Sequence, residues 1–313
     1  MGKIVKISEL KEGNIQNVRK CFLKGNIWVK RDLADATGMS LAAITNILQL
    51  LVNNNEIKFI GYADSSVGRK AKKYQINPDF RHYGTISCRY YQGQGQLTIS
   101  RYSLLGEEIS TKVIDEDITK DTIAQAAKDL ISHDPSIIAI VFSIPGICRA
   151  GRIESSTVRG VVGLNLLSYL KDQLDCKVVI DNDITFAAVG FDALHPGNLS
   201  IFVCQNDEGY TRSVIMHNGE VTRGATDYAG TLLNDEEGDA FTKLRHQLAT
   251  INSLIDPDII GVYSKALSDF DERDLLIDIP IYHRTKIKVI NDPEKEIKLG
   301  MKTICLKALF NDD

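Results

Sequence analysis

The stretch Val29–Asn53, VKRDLADATGMSLAAITNILQLLVN, decides how the whole chain is read. It reads as two helices joined by a tight turn. The first covers Val29 to Thr37, with Leu33 and Ala36 three apart on one face. Gly38 falls where a helix stops, because glycine accepts a positive φ without a Cβ clash. Ser40 is placed to cap the second helix by accepting a hydrogen bond from a free backbone N–H. Beyond it Ile44, Ile47, Leu48 and Leu51 recur at i, i+3, i+4 and i+7, which makes one apolar stripe. Ala43, Thr45, Asn46, Gln49 and Asn53 occupy the other face and are small or hydrogen-bonding, and uncharged. That face suits the floor of a DNA major groove, where base edges offer donors and acceptors. The spacing is that of a helix-turn-helix. An amphipathic pair of this kind would equally serve a three-helix module that binds protein or simply packs.

Upstream, Gly13–Leu23 is predicted to be a first helix, with Ile15, Val18 and Phe22 on one face, broken at Gly25-Asn26. Ile27-Trp28 would lie against the helix pair. Downstream, Asn53-Asn54-Asn55 breaks the second helix and Glu56–Tyr62 is strand-like. Asp64–Gly68 is turn chemistry and Lys72–Ile76 a returning strand. The hairpin reads as a wing. Arg69, Lys70, Lys72 and Lys73 put four cations into five positions at its tip, suited to phosphate or minor-groove contact. The other reading is a solvated hairpin edge that lysines keep from pairing with other sheets. The expected DNA-facing set is Ser40, Ala43, Thr45, Asn46, Gln49, Arg69, Lys70, Lys72 and Lys73. Asn77-Pro78 starts a linker.

Charge supports a division of labour. Residues 1–82 hold 14 Lys and Arg against 7 Asp and Glu, whereas the remainder holds 23 against 34. A basic head on an acidic body suits a nucleic-acid-binding module fused to an effector module. At 313 residues the chain has room for two or three domains. Its six cysteines form no C-x-x-C pair, which argues against a zinc knuckle or redox motif and suits a reducing cytoplasm. No apolar run approaches the ~20 residues of a membrane span. The Lys- and Glu-bearing start carries no signal-peptide core.

The body reads as a meander over Gly84–Tyr91, Gln96–Leu104 and Glu108–Val113, then a helix near 119–132. Ile137–Ile144 is a continuous apolar run, hence a strand buried on both faces. A helix at Leu164–Leu174 and a strand at Lys177–Asp181 follow, leading into Asn182-Asp183 and a further helix. Strands near 199–204, 212–217 and 220–222, a helix near 236–254, a strand near 286–290 and a helix at 294–309 complete the pattern. Two meander-then-helix units predict a two-lobed α/β body with a cleft between the lobes. Asp181-Asn182-Asp183 lies at the carboxyl end of a buried strand, where ligands usually sit, although Asn-Asp there could equally be a helix cap.

These segments resemble the ROK family of repressors and sugar kinases. The resemblance rests on Val179–Asp183 with Ala187–Gly190, on Ile144-Pro145-Gly146, and on Gly151…Ser155-Ser156…Gly160…Gly163. It rests also on Thr222–Ala225…Ala229-Gly230 and Ile255–Ile260. In the head, Gly13-Asn14…Val18, Gly38-Met39-Ser40 and Gly68-Arg69-Lys70…Ile76-Asn77-Pro78 resemble the repressor branch. It implies a winged helix-turn-helix over residues 1–80 and an actin- or hexokinase-like (ribonuclease H-like) ROK domain over 81–313. One lobe would span about 83–190 plus the C-terminal helix, the other 191–290. It implies a sugar in the cleft, with Asp183 matching the kinases' base and Asn182 bonding a hydroxyl.

The sequence departs from that pattern in ways that matter. The stretch matching the first phosphate loop, Thr85–Tyr90, lacks the family's Asp and Gly pair. The stretch matching the second, Tyr210–Val214, lacks the glycines whose amides approach phosphate oxygens. The zinc-binding His and Cys cluster is missing. Thr157, Thr231 and Asn234 replace a family Asn, Glu and His in the sugar cleft. The expectation is a cytoplasmic, non-enzymatic transcriptional regulator, a repressor by its branch, with no cofactor or metal. It would bind a double-stranded DNA operator and a sugar-like effector through Thr157, Asn182, Asp183, Thr231 and Asn234, and would act as a homodimer or higher homo-oligomer. The alternatives are a body that is only a dimerisation scaffold and, less favoured, an active sugar kinase.

Overall fold

The computed structural model describes residues 7–23, 27–64, 70–91, 93–206, 209–232, 238–267, 275–277 and 279–310. The expected break at Gly25-Asn26, the turn at Ser65–Gly68, and the sites Arg69 and Asn234 lie outside the described residues.

The head contains α1 (Ile7–Leu23), β1 (Trp28–Val29), α2 (Lys30–Thr37), α3 (Leu41–Asn53), β2 (Ile57–Tyr62) and β3 (Lys72–Ile76). Gly38 closes α2 at φ +70°, a left-handed conformation that costs a residue with a Cβ more. Ser40 Oγ accepts from the Ala43 N–H at 3.2 Å and so starts α3. The two helices meet at 114°, within the range of a helix-turn-helix. Ile44, Ile47, Leu48 and Leu51 are buried with Val18, Phe22 and Leu33, as their period required. Truncating any of these to Ala would cost on the order of 2–5 kcal/mol.

Two boundaries differ from expectation. The first helix starts at Ile7, a turn and a half before Gly13. Val29 is not helical: it is extended at φ −105°, and Trp28-Val29 form a two-residue strand paired with Tyr74 and Lys73. The head sheet therefore has the order β1-β3-β2. The Trp28 indole N–H donates to the Cys21 carbonyl at 3.0 Å, which ties this strand to α1.

The body has two five-stranded sheets. The first comprises β4 (His82–Tyr91), β5 (Gln94–Ser103), β6 (Glu108–Asp115), β7 (Ile137–Ser143) and β10 (Lys177–Asp181), in the order β10-β7-β4-β5-β6. The second comprises β11 (Leu199–Gln205), β12 (Thr211–His217), β13 (Glu220–Thr222), β14 (Ile259–Ser264) and β15 (Lys286–Val289), in the order β13-β12-β11-β14-β15. The parallel strands are β4, β7 and β10 in one sheet and β11, β14 and β15 in the other. A short hairpin, β8 (Ile147–Arg149) with β9 (Arg152–Ser155), lies within the Gly146–Gly163 segment, which was not expected to contain strands.

Helices fill the space on and between the sheets. α4 (Lys120–His133) and α5 (Leu166–Gln173) cover the outer face of the first sheet, and α7 (Ala240–Ile255) that of the second. α4 begins with a reciprocal cap, each of Thr119 and Thr122 taking the other's backbone N–H. α6 (Asp183–Leu194) and α8 (Glu294–Phe310) are packed in one apolar layer with inner residues of both sheets, including Tyr83, Val141, Phe202 and Met216. Gly190 and Gly300 let this helix pair close. A Cβ on Gly190 would sit 1.8 Å from the Glu296 carbonyl oxygen, and one on Gly300 1.8 Å from that of Phe186.

Head and body share packing: Leu104, Leu306 and Leu309 join the head's apolar cluster. Arg19 Nε and Nη2 donate to Glu56 at 2.7 and 2.8 Å beside this junction. The linker ends on His82, whose Nδ1 lies 2.5 Å from Asp134 and 2.8 Å from Ser136 Oγ, with Arg101 donating to the same carboxylate at 3.1 Å. No single helix among the described residues is long and apolar enough to cross a membrane.

Candidate nucleic-acid interface and interlobe cleft

The second helix of the helix-turn-helix keeps its polar face open. Ser40, Thr45, Asn46 and Gln49 are exposed, and Ala43 is half-buried. Besides the Ser40 cap, two of these side chains already have local partners. Thr45 Oγ1 donates to the Leu41 carbonyl at 2.6 Å, and Gln49 Nε2 to Asn53 Oδ1 at 2.8 Å. Both bonds are at the surface and water competes for them, so a base edge could take their place at little cost.

Between α3 and the wing lies an open groove of about 1020 Å³. Thr45 and Gln49 line one wall; Phe59, Tyr62 and Lys72 line the other. Lys70 is also on the groove, whereas Lys73 is half-buried on β3 and does not line it. Two further cations, Lys30 and Arg31 at the start of α2, complete the rim, and sequence reading did not single them out. No Asp or Glu lines the groove. Among the described residues, none of Lys30, Arg31, Lys70, Lys72 and Lys73 has a carboxylate partner. Lys72 Nζ instead stands 5.7 Å over the Phe59 ring, which packs edge-on against Tyr62 at 5.1 Å. Phe59 and Tyr62 are 45% and 52% exposed, an unusual pair of rings to leave in water without a partner.

The second site lies between the lobes. Thr157, Asp183 and Thr231 come together in one pocket of about 620 Å³. Asn182 and Thr231 line an adjoining one of about 170 Å³. The loop Pro145-Gly146 forms the shared edge, held by Ser156 Oγ donating to the Pro145 carbonyl at 2.5 Å. Asn182 Oδ1 accepts from the Thr185 N–H at 2.7 Å, so the helix-cap reading of this residue holds whatever else it does. Burial pushes the Asp183 carboxyl above the usual carboxylate range; the Ile184 N–H and the charges of Arg89 and Arg212 pull the other way.

Two charged residues missed in the sequence cross the cleft. Arg223, on the loop after β13, donates from Nη2 to Asp181 Oδ2 at 2.5 Å, linking the second sheet's loop to the end of the first sheet's edge strand. Asp181 is buried and its other oxygen accepts from the Asn182 N–H at 2.8 Å. The 42-residue separation hides this pair from any local pattern. Arg212 faces both pockets. It lies on β12 opposite Cys204, where the resemblance expects a glycine-rich phosphate loop. Among the described residues, no group of three or more His, Cys, Asp or Glu is placed to hold a metal ion.

No protein-family model matches the chain, and no curated protein matches it in sequence. Solved structures do match. A ROK family transcriptional regulator, described as a homolog of the E. coli Mlc protein, aligns over 96% of this chain and 98% of its own, with TM-score 0.68 at 15% identity. A ROK hexokinase from Thermus thermophilus covers 73% of this chain and 99% of its own, with TM-score 0.56 at 13% identity. A ROK family protein from Streptococcus pneumoniae, solved with sucrose, covers 71% and 97%, with TM-score 0.57 at 14% identity. From head to C-terminal helix, the fold is that of the ROK proteins, with an α/β body of actin and hexokinase type behind a winged helix-turn-helix.

Proposed function

We propose that this chain is a ROK-type transcriptional regulator that binds duplex DNA through a head of residues 1–80. The observation that carries the reading is the groove between α3 and the wing, rimmed by cations that have no carboxylate partner among the described residues. A polyanion is the partner such a rim lacks. Arg69, Lys70, Lys72 and Lys73 contact phosphates or the minor groove, and Thr45, Asn46 and Gln49 face the bases from α3. The body, residues 81–313, joins two heads into a dimer that reads a pseudo-palindromic site. It also senses a sugar-like effector, which favours one arrangement of the heads. The regulator acts in the cytoplasm, as a repressor by the branch it resembles. Coverage of nearly the full chain by a regulator, against about three-quarters by the hexokinase, supports this reading.

The test is selection of bound DNA from a random pool by the full chain. Recovery of a two-fold symmetric motif supports the proposal; a pool that stays random overturns it. The rival reading, a sugar kinase, draws on the kinase-like fold of the body. Against it stand Tyr210, Thr211 and Arg212, whose side chains occupy the stretch where backbone amides would cradle phosphates. An ATP-turnover assay with a sugar panel decides it: turnover that vanishes in Asp183→Asn would establish the kinase.

A further inference from the structure

We infer that the cleft takes a sugar bearing an anionic substituent, a phosphate or a carboxylate, and that Arg212 is the side chain that selects it. This rests on the sugar-sensing role proposed above and narrows its ligand.

Four arginines stand in or beside the cleft, and three have carboxylate partners. Arg223 and Arg89 are hydrogen-bonded to Asp181 and Glu294 at 2.5 and 3.2 Å, whereas Arg149, 3.4 Å from Glu154, makes only an ionic contact and its buried Nε has no hydrogen bond. Arg212 is half-buried, lines both pockets and has no hydrogen-bond partner among the described residues. Its charge is felt by the neighbouring Asp183, but no hydrogen bond joins the two, and Asp183 accepts instead from the Ile184 N–H at 3.0 Å. A guanidinium removed from part of its water without a partner is costly, and its planar fork matches a carboxylate or phosphate with two parallel bonds.

The rest of the pocket suits a ring with hydroxyls. Tyr210 and Tyr228 line it and are 56% and 57% exposed, offering flat faces. Thr157 and Thr231 supply hydroxyls that both donate and accept. A neutral sugar would satisfy these groups and leave Arg212 unpaired. An anionic one satisfies all of them, and sites built this way reject the analogue that leaves a polar group without a partner.

The test is calorimetry on the full chain at one fixed ionic strength. The probes are common hexoses, each as the neutral sugar, its 6-phosphate and its uronic acid, with inorganic phosphate alone as a control. The inference expects at least one hexose whose phosphate or uronate binds about tenfold or more tighter than the neutral parent. It expects the Arg212→Gln variant to lose that preference, while Arg89→Gln, which removes a guanidinium already paired with Glu294, keeps it. The two anionic series tell a phosphate-selective pocket from a carboxylate-selective one. Equal binding of neutral and charged forms, or a preference that survives Arg212→Gln in a variant with unchanged melting, overturns this inference and leaves sugar sensing standing. Binding of inorganic phosphate as tight as that of the sugar phosphate also overturns it. No heat with any sugar overturns the sugar-sensing reading itself.

Discussion

The head groove and the interlobe cleft both hold arginines and lysines, but they treat them in opposite ways. On the groove, Lys30, Arg31, Lys70 and Lys72 stand unpaired around exposed aromatic rings. In and around the cleft, arginines are held by carboxylates of the chain itself, and Arg223–Asp181 bridges the lobes. Unpaired cations clustered at a surface repel one another and gain only from an external polyanion. Paired ones shape and stiffen a pocket. On the function proposed above, the contrast separates a surface for a charged macromolecule from a pocket for a small ligand, with Arg212 the exception that bears on that ligand's charge.

The comparison can be broken first at the wing. Replacing Arg69, Lys70, Lys72 and Lys73 together by Ala should lower the salt slope of DNA binding by about 3–4, since each phosphate contact contributes roughly 0.9. Affinity at low salt should fall by orders of magnitude, while stability should drop by no more than about 1 kcal/mol, since Lys72 gives up its place over the Phe59 ring.

The anchor at the start of the body, where His82 meets Asp134, is next in size. The Asp134 carboxyl is held down to about 2; burial opposes ionisation, but hydrogen bonds from Ser136 and His82 outweigh it. Its contribution is therefore full above the ordinary carboxylate pKa of about 4 and is lost as pH falls from about 4 to about 2. Asp134→Asn should cost about 2 kcal/mol near neutrality and flatten the acid limb of the stability curve in that window, as denaturant melts at several pH values would reveal. An unchanged acid limb would count against the His82–Asp134 anchor.

Within the cleft, Asp181→Asn should cost on the order of 1–2 kcal/mol. That is less than for a fully buried pair, because the Arg223 side chain is 43% exposed. The freed Arg223 adds a second unpaired guanidinium to the cleft and should raise its preference for the anionic sugar. The smallest effect belongs to Glu294→Ala, which frees Arg89 from a pair whose side chains are 56% and 44% exposed. Less than about 0.5 kcal/mol is expected in thermal melts.

Much of the fold is legible in the sequence wherever a local period carries it. The i, i+3, i+4, i+7 stripe from Ile44 to Leu51, the Gly38 stop, the Ser40 cap and the apolar run at Ile137 each follow from neighbours along the chain. What local pattern cannot give is partnership over distance. Trp28-Val29 is too short to register as a strand until β3 lies beside it. The interlocking of Gly190 with Gly300 requires two helices more than a hundred residues apart to meet. Of the cleft residues, Thr157, Asn182, Asp183 and Thr231 were found by motif and do converge on the cleft. The pairing of Asp181 with Arg223 is not legible in the sequence, because 42 residues separate the two. Lys30 and Arg31 belong to no local motif and join the groove's rim only once α2 is set against the wing.

The account turns on the head groove being a DNA surface, and the salt dependence of binding to DNA recovered from a random pool measures this most directly. A linear fall of log affinity with log salt is expected, steep in the wild type and shallower by about 3–4 in the quadruple wing variant. A slope that is the same in both proteins, or near zero in the wild type, would contradict it.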